Sequence, residues 1–257
     1  MAEWDPGQYL RFSDERLRPA LDLLARVRLD EPARVVDLGC GAGNVTAFLR
    51  RRFPKADVLG VDGSPAMLAK ARAAAPDCRF EQADVENWTP GTPPDLLYSN
   101  AALHWLAGHD RLFPRLVSLL APGGCLAVQM PAMHAAPLRA LQQEIAGHGP
   151  WAERLRGIRS APPILDADAY WDLLRPWTVA LDIWETTYLH ALEGDDAVAE
   201  WAAGSSLGPF LQALPDAERR AFRQQYSEAV APYYPRRPDG ATLVPFRRLF
   251  LVATRRT

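Results

Sequence analysis

The chain has 257 residues, 48% of them hydrophobic and 23% charged, with a formal net charge of −2. These are ordinary globular values, which exclude a disordered, collagen-like or coiled-coil chain, and the length suits one large domain. The charge balance excludes a global attraction to nucleic-acid phosphates, and no window approaches the roughly 20 apolar residues of a membrane helix.

The N-terminus, Met1-Ala2-Glu3-Trp4-Asp5, lacks the basic and apolar regions of a signal peptide, so a cytoplasmic protein is expected. Cys40, Cys78 and Cys125 are too few and too widely spaced for a disulfide framework or a structural metal site, and reduced thiols are expected. Of the 29 basic residues only Lys55 and Lys70 are lysines. Gene composition alone can produce that bias, so no single Arg is functional on its presence alone.

In chain order, Trp4 to Phe12 reads as an aromatic arm interrupted by Pro6. A helix capped by Ser13 follows, with Leu17, Leu21, Leu24 and Val27 at helical spacing, and ends before Pro32. Strands are expected at Arg34–Asp37, Val58–Asp62, Arg79–Gln82, Leu96–Ser99 and Cys125–Met130. Helices are expected at Asn44–Arg52, at Ser64–Ala75 with Ser64 as cap and Pro65 in the first turn, and around Phe113–Leu120. Such alternation implies a parallel sheet covered by helices on both faces.

Past Met130 the alternation breaks. Helical segments fall near Leu138–Ala146, Ala167–Leu174, Asp196–Ala203 and Asp216–Ala231, with strand candidates at Val179–Tyr188 and Leu243–Thr254. The expected organisation is one domain over 1–257. An N-terminal arm and helix occupy 1–29, a ligand-binding core 30–132, and helical cap segments interleaved with the last two strands 133–257.

Between the first strand and the next helix lies Asp37-Leu38-Gly39-Cys40-Gly41-Ala42-Gly43-Asn44. Glycines there permit positive φ and close approach of a ligand to the backbone, while the helix N-terminus presents free N–H donors. A nucleotide-type ligand is implied. Asn44 stands where the dinucleotide fingerprint needs its third glycine, which argues against a pyrophosphate cofactor.

With its acidic head this turn resembles the first motif of the class I S-adenosylmethionine-dependent methyltransferases. Further matches follow in order. Asp62 ends the second strand 23 residues after Gly39, Asp84 ends the third in Gln82-Ala83-Asp84-Val85, Pro94 to Asn100 resembles the fourth-strand motif, and Leu120 to Gly124 the turn before the fifth. The resemblance implies a Rossmann-like, doubly wound, mostly parallel seven-stranded sheet with a helical cap, and S-adenosyl-L-methionine as cofactor. It assigns the cofactor to Asp37, Gly39, Cys40, Gly41, Gly43, Asn44, Asp62, Gly63, Ser64, Met67, Asp84, Val85, Asn100, Ala101 and Trp105. Asp62 would take the ribose hydroxyls and Asp84 the adenine amino group, whereas Asp95 reads as a turn residue. No metal is implied.

The ends of the chain resemble the trans-aconitate methyltransferases more narrowly. Trp4-Asp5-Pro6 with Tyr9, Leu10, Phe12, Glu15 and Arg16 carries the likeness, as do Asn100 to Leu106, Leu126 to Pro131, Asp182-Ile183-Trp184, Tyr188, His190, and Arg248 to Ala253. This implies transfer of a methyl group to a carboxylate of a small polycarboxylic acid, with Tyr9, Arg16, His104 and Arg248 on the acceptor side. Arg forks match carboxylates, and an ionised carboxylate needs orientation rather than a base.

Two departures bear on the acid. Ala132-Met133 stands where the family usually has Asp-Asn, and Ser206-Leu207-Gly208-Pro209 where it has Gly-Leu-Arg-Pro. Another small carboxylic acid is therefore an alternative acceptor, and a non-catalytic nucleotide-binding module is the alternative from a different class.

Overall fold

The computed structural model describes residues 13–158 and 160–257, with side chains from Leu17 onward. Tyr9 and the Arg16 side chain lie outside the described residues. From Arg16 onward the chain divides into two compact units. One comprises Arg16–Pro131, Pro162–Thr186 and Arg248–Thr257, the other Ala132–Ala161 and Thr187–Arg247.

The first unit opens with α1 (Ser13–Leu24) and then alternates β1 (Arg34–Leu38), α2 (Asn44–Arg52), β2 (Asp57–Asp62), α3 (Pro65–Ala74), β3 (Arg79–Gln82), β4 (Leu96–Asn100), α4 (His109–Leu119) and β5 (Cys125–Pro131). β1 and β4 are covered on both faces: Val35, Val36, Leu38, Leu96, Leu97 and Tyr98 are all buried, and so are the polar Asp37 and Ser99 among them. α4 begins at His109, four residues before the expected Phe113. Its first turn is polar, and the apolar periodicity starts only with Leu112 and Phe113. Ser64 caps α3 as expected, its Oγ accepting from the Met67 amide at 3.3 Å.

The sheet order is β3-β2-β1-β4-β5-β7-β6, where β6 is Thr178–Leu192 and β7 is Thr242–Arg255. β1, β2, β3, β4 and β5 pair in parallel, whereas β7 runs antiparallel to β5. This is the expected doubly wound sheet of seven strands. Strand order reverses between β1 and β4, and crevices at the carboxyl ends of such neighbours are where doubly wound sheets bind ligands. β6 is longer than expected because Tyr188, His190 and Leu192 are buried while Leu189 and Ala191 between them are exposed, which continues the strand alternation; β7 exceeds its expected span by one residue at each end.

The second unit is mainly helical: α5 (Pro137–Gly147), α6 (Ala152–Leu155), α8 (Ala197–Ala203), α9 (Gly208–Gln212) and α10 (Asp216–Val230), with α7 (Ala167–Leu174) belonging to the first unit. Its core gathers Leu138, Trp151, Trp201, Phe210, Phe222 and Tyr226. The Phe222 ring meets Trp151 edge-on at 5.2 Å, and the Tyr226 hydroxyl donates to the Leu138 carbonyl at 2.9 Å. α6 and α9 are absent from the sequence reading because four and five residues are too few to display a helical period.

Candidate functional site

The turn after β1 holds Gly39, Gly41 and Gly43, all at positive φ. They do different work. A Cβ on Gly39 would lie 2.2 Å from Ala102 Cβ, and one on Gly43 would lie 2.8 Å from Ala71 Cα in α3, so both glycines are fixed by packing. A Cβ on Gly41 would meet nothing within 4 Å. Gly41 is the glycine whose open side leaves room for a ligand against the backbone.

Asp62 closes this turn. Its Oδ2 accepts from the Gly41 amide at 2.9 Å and its Oδ1 from the Ser64 amide at 2.8 Å, so one carboxylate ties the ends of β1 and β2 together. The Gly39 and Cys40 amides both donate to the Val61 carbonyl. Asp62 thus acts as a turn clamp while keeping lone pairs for hydroxyl donors, so the structural and ligand roles coexist. Gly63 and Ser64 follow directly, with Met67 half-buried on the first turn of α3.

Asp37 lies beneath the turn, 1% exposed, and its Oδ2 accepts from Thr46 Oγ at 2.6 Å. Burial pushes its carboxyl up to about 7; the Thr46 hydrogen bond works against that rise, and the Asp62 charge adds to it. Burial and the Asp37 and Asp62 charges likewise push the Cys40 thiol well above its ordinary range. Asn44 opens α2 directly after Gly43.

Asp84 stands apart in character. It is exposed, its Oδ1 accepts from the Glu86 amide at 3.1 Å and its Oδ2 from Asn87 Nδ2 at 2.8 Å, with Val85 half-buried beside it. Asp95 is a turn residue as expected, taking the Ala33 and Arg34 amides on its Oδ2.

Across the switch point, β4 ends in Asn100, whose Oδ1 is buried and has no hydrogen-bond partner among the described residues. Ala101 follows at φ 52, the only non-glycine residue with positive φ among those described. Such a conformation costs on the order of 1 kcal/mol or more and persists where surrounding contacts enforce it, commonly at functional sites. Here the enforcing contact is the Ala101 amide donating to the Gln129 carbonyl at 2.9 Å.

A short 3₁₀ turn, Leu103–Trp105, then presents His104 and Trp105. His104 is buried, and its ring lies 5.0 Å from that of Trp105. The turn is anchored from below by His109, whose Nε2 lies 3.0 Å from the Leu103 carbonyl. A carbonyl only accepts, so Nε2 carries the proton and Nδ1 accepts from the Tyr170 hydroxyl at 2.5 Å. Burial lowers the His109 pKa, which keeps the ring neutral in this arrangement.

Arg248 lies on β7, 6% exposed, and its Nη1 donates to Gln129 Oε1 at 3.3 Å. The sheet thus gathers Asn100, Gln129 and Arg248, which lie far apart in sequence. Gln129 is absent from the expected site residues; its signal was one amide in the otherwise apolar run Leu126-Ala127-Val128-Gln129-Met130. His109 and Tyr170 carried no such signal, since nothing local links residues 61 apart.

Comparison with known proteins follows the same lines. A family model described as a methyltransferase domain matches residues 35–124. A trans-aconitate 2-methyltransferase from Methylobacterium nodulans is 52% identical over 99% of both chains, one from Azoarcus is 48% identical over 99% of this chain and all of its own, and one from Escherichia coli is 45% identical over 99% of both. Among solved structures, YcgJ from Bacillus subtilis superimposes with a TM-score of 0.60 at 17% identity, covering 93% of this chain and 98% of its own. A Haemonchus contortus phosphoethanolamine N-methyltransferase in complex with S-adenosylhomocysteine superimposes with a TM-score of 0.59 at 16% identity, covering 93% of this chain and 53% of its own. At those identities the structures bear on the fold.

Proposed function

The chain belongs to the family of the trans-aconitate 2-methyltransferases, S-adenosylmethionine-dependent enzymes, and from that premise we propose that it methylates one carboxylate of trans-aconitate to give the monomethyl ester. The observation that carries the choice of a carboxylic acid is the buried guanidinium of Arg248 beside Asn100 and Gln129 at the switch-point end of the sheet. A guanidinium offers a carboxylate two parallel N–H donors and full charge in a water-poor setting.

The residues fit the cofactor. The open side of Gly41 admits a nucleoside against the backbone, and the buried Asn100 Oδ1 awaits a donor. When bound, S-adenosylmethionine supplies an electrophilic methyl group on a sulfonium. Gly39, Cys40, Gly43 and Asn44 shape the turn around it. In this reading Asp62 accepts from the ribose hydroxyls, with Gly63, Ser64 and Met67 beside it; Asp84 and Val85 meet the adenine; Asn100, Ala101 and Trp105 wall the methionine end.

On the acceptor side, Arg248 orients the acid and His104 lines the wall; the Arg16 side chain and Tyr9, outside the described residues, are the further acceptor-side candidates. The reacting carboxylate is ionised at neutral pH, so the chain needs to position it rather than deprotonate it. The departures from the family pattern fall on packing positions. Ala132 and Met133 are buried, with Met133 Sδ accepting from the Arg247 amide at 3.2 Å. A Cβ on Gly208 would lie 2.9 Å from the Ala203 carbonyl, so the local backbone there leaves no room for a larger side chain. The same reading places the enzyme in the cytoplasm, supported by three free thiols, and among the described residues no helix is long and apolar enough to cross a membrane.

A methyl-labelled cofactor, offered with a panel of small carboxylic acids, tests this directly. Label should pass to trans-aconitate, with the ester identified by mass. Transfer to another acid in preference to trans-aconitate would replace the substrate, and no transfer to any acid would sink the reading.

A further inference from the structure

Gln129 sits at the centre of the acceptor side without an assigned role. It is 0% exposed. Pairing along the strands puts it in register with Asn100 of β4 and Phe250 of β7, and places Pro131 opposite Arg248. Directly paired residues share a face of the sheet, so Asn100, Gln129, Phe250 and Arg248 all point to one side.

The hydrogen bonds fix the carboxamide's orientation. Oε1 accepts from Arg248 Nη1, which leaves the NH2 as the other half of the group, and Nε2 is buried with no hydrogen-bond partner among the described residues. A buried donor without an acceptor is costly and calls for an explanation. Holding Arg248 alone does not supply one. A glutamate there would be a stronger acceptor for the guanidinium, but it would cancel the positive charge and offer no donor. Glutamine restrains the guanidinium without adding a negative charge of its own and contributes N–H donors. That combination suits a polyanionic acceptor.

We propose that Gln129 is a specificity-determining residue that donates its side-chain NH2 to a carboxylate of the acid held by Arg248. The inference rests on the reading of the substrate given above. Gln129 also joins the acceptor side to the cofactor side, because its backbone carbonyl holds the Ala101 amide in the conformation at φ 52. That link runs through the main chain, so side-chain substitutions leave it in place.

The test uses the full-length enzyme at saturating S-adenosylmethionine with trans-aconitate varied. Gln129→Glu keeps the size and the acceptor for Arg248 but removes the donors and adds a negative charge. It should raise KM for trans-aconitate at least thirtyfold, change kcat less than threefold, and leave cofactor affinity by calorimetry within twofold. Gln129→Met, neutral and similar in length, should raise KM about tenfold. With a dicarboxylic analogue lacking one carboxylate, the ratio of variant to wild-type KM should shrink for both.

An unchanged KM in either folded variant would show that a water satisfies the NH2 and would overturn the inference. So would an equal loss of cofactor affinity. If neither variant folds, the carboxamide is structural and the inference also falls. Wild-type protein that neither binds nor methylates trans-aconitate refutes the substrate reading itself, a result visible before any variant is made.

Discussion

The glycine turn with Asp62 and the strand ends carrying Asn100, Gln129 and Arg248 lie in the same compact unit, yet they are built differently. In the turn the amides of Gly39, Cys40, Gly41 and Gly43 all find acceptors, on Cys40 of the turn itself and on Val61 and Asp62 at the end of β2. At the strand ends the polar groups are side chains from residues 100, 129 and 248, and Asn100 Oδ1 and Gln129 Nε2 are buried without hydrogen-bond partners among the described residues. The turn keeps its shape through backbone bonds and the Asp62 carboxylate, so it tolerates change in most of the other side chains around it. A site made of side chains changes its ligand with each substitution. One fold can therefore hold its cofactor constant while the acceptor varies.

The largest expected effect separates the glycines within the turn. Gly43→Ala drives a methyl group into the α3 backbone at positive φ and should destabilise the protein by about 3 kcal/mol or more, seen as a large fall in Tm. Gly41→Ala meets no such obstacle. It should cost only about 1 kcal/mol of stability yet weaken cofactor binding by calorimetry, because the new methyl group enters the ligand's space. Equal losses of Tm would erase the distinction between a packed and an open glycine.

Next in size is a crossed pair of substitutions. Asp62→Ala should lower S-adenosylmethionine affinity at least tenfold, about 1.4 kcal/mol, with little change in KM for the acid. Arg248→Met should do the reverse, raising KM tenfold or more with cofactor affinity nearly unchanged. If both variants moved both parameters alike, the division between the cofactor turn and the acceptor-side strand ends would fail.

The smallest effect is on pH dependence. Asp37 has its carboxyl raised to about 7 from an ordinary 3.8, so the folded state binds a proton more tightly than the unfolded chain. Its contribution to stability is complete below about pH 4 and is lost as pH rises toward 7. Asp37→Asn should therefore be more stable than wild type at pH 8, by about 1 to 2 kcal/mol, with the advantage disappearing near pH 4. Thermal melts across that range would show it. His109 has the opposite sign: its pKa is lowered, so its contribution is present above about 6.5 and lost as pH falls.

What could be read from sequence follows the same division. Gly39 to Gly43 and the Ser64 cap were legible because their spacing is visible within a few consecutive residues. Asp62 and Asp95 stood out by their places beside strand motifs, but their bonds to the Gly41 amide and to the Arg34 and Ala33 amides join segments 21, 61 and 62 residues apart, which no local pattern displays. Gln129 escaped notice because its role arises only when β5 is set between β4 and β7, and His109 because its partner Tyr170 arrives on a different helix. Arg248 could be picked out by resemblance, but the sequence could not say that it would be buried and would donate to the Gln129 amide. The short helices Ala152–Leu155 and Gly208–Gln212 were invisible because no period fits within one turn.

The placing of Cys40 reaches beyond ligand binding. A thiol in the middle of a cofactor turn would ordinarily be a liability, since electrophiles and peroxides attack the thiolate. Here burial and two neighbouring carboxylates keep that sulfur protonated, and Cys125 is likewise pushed up to about 12 by burial alone. Cys40 and Cys125 should therefore resist alkylating reagents at neutral pH, a protection that Cys40 draws first from burial and then from the carboxylates that shape the turn.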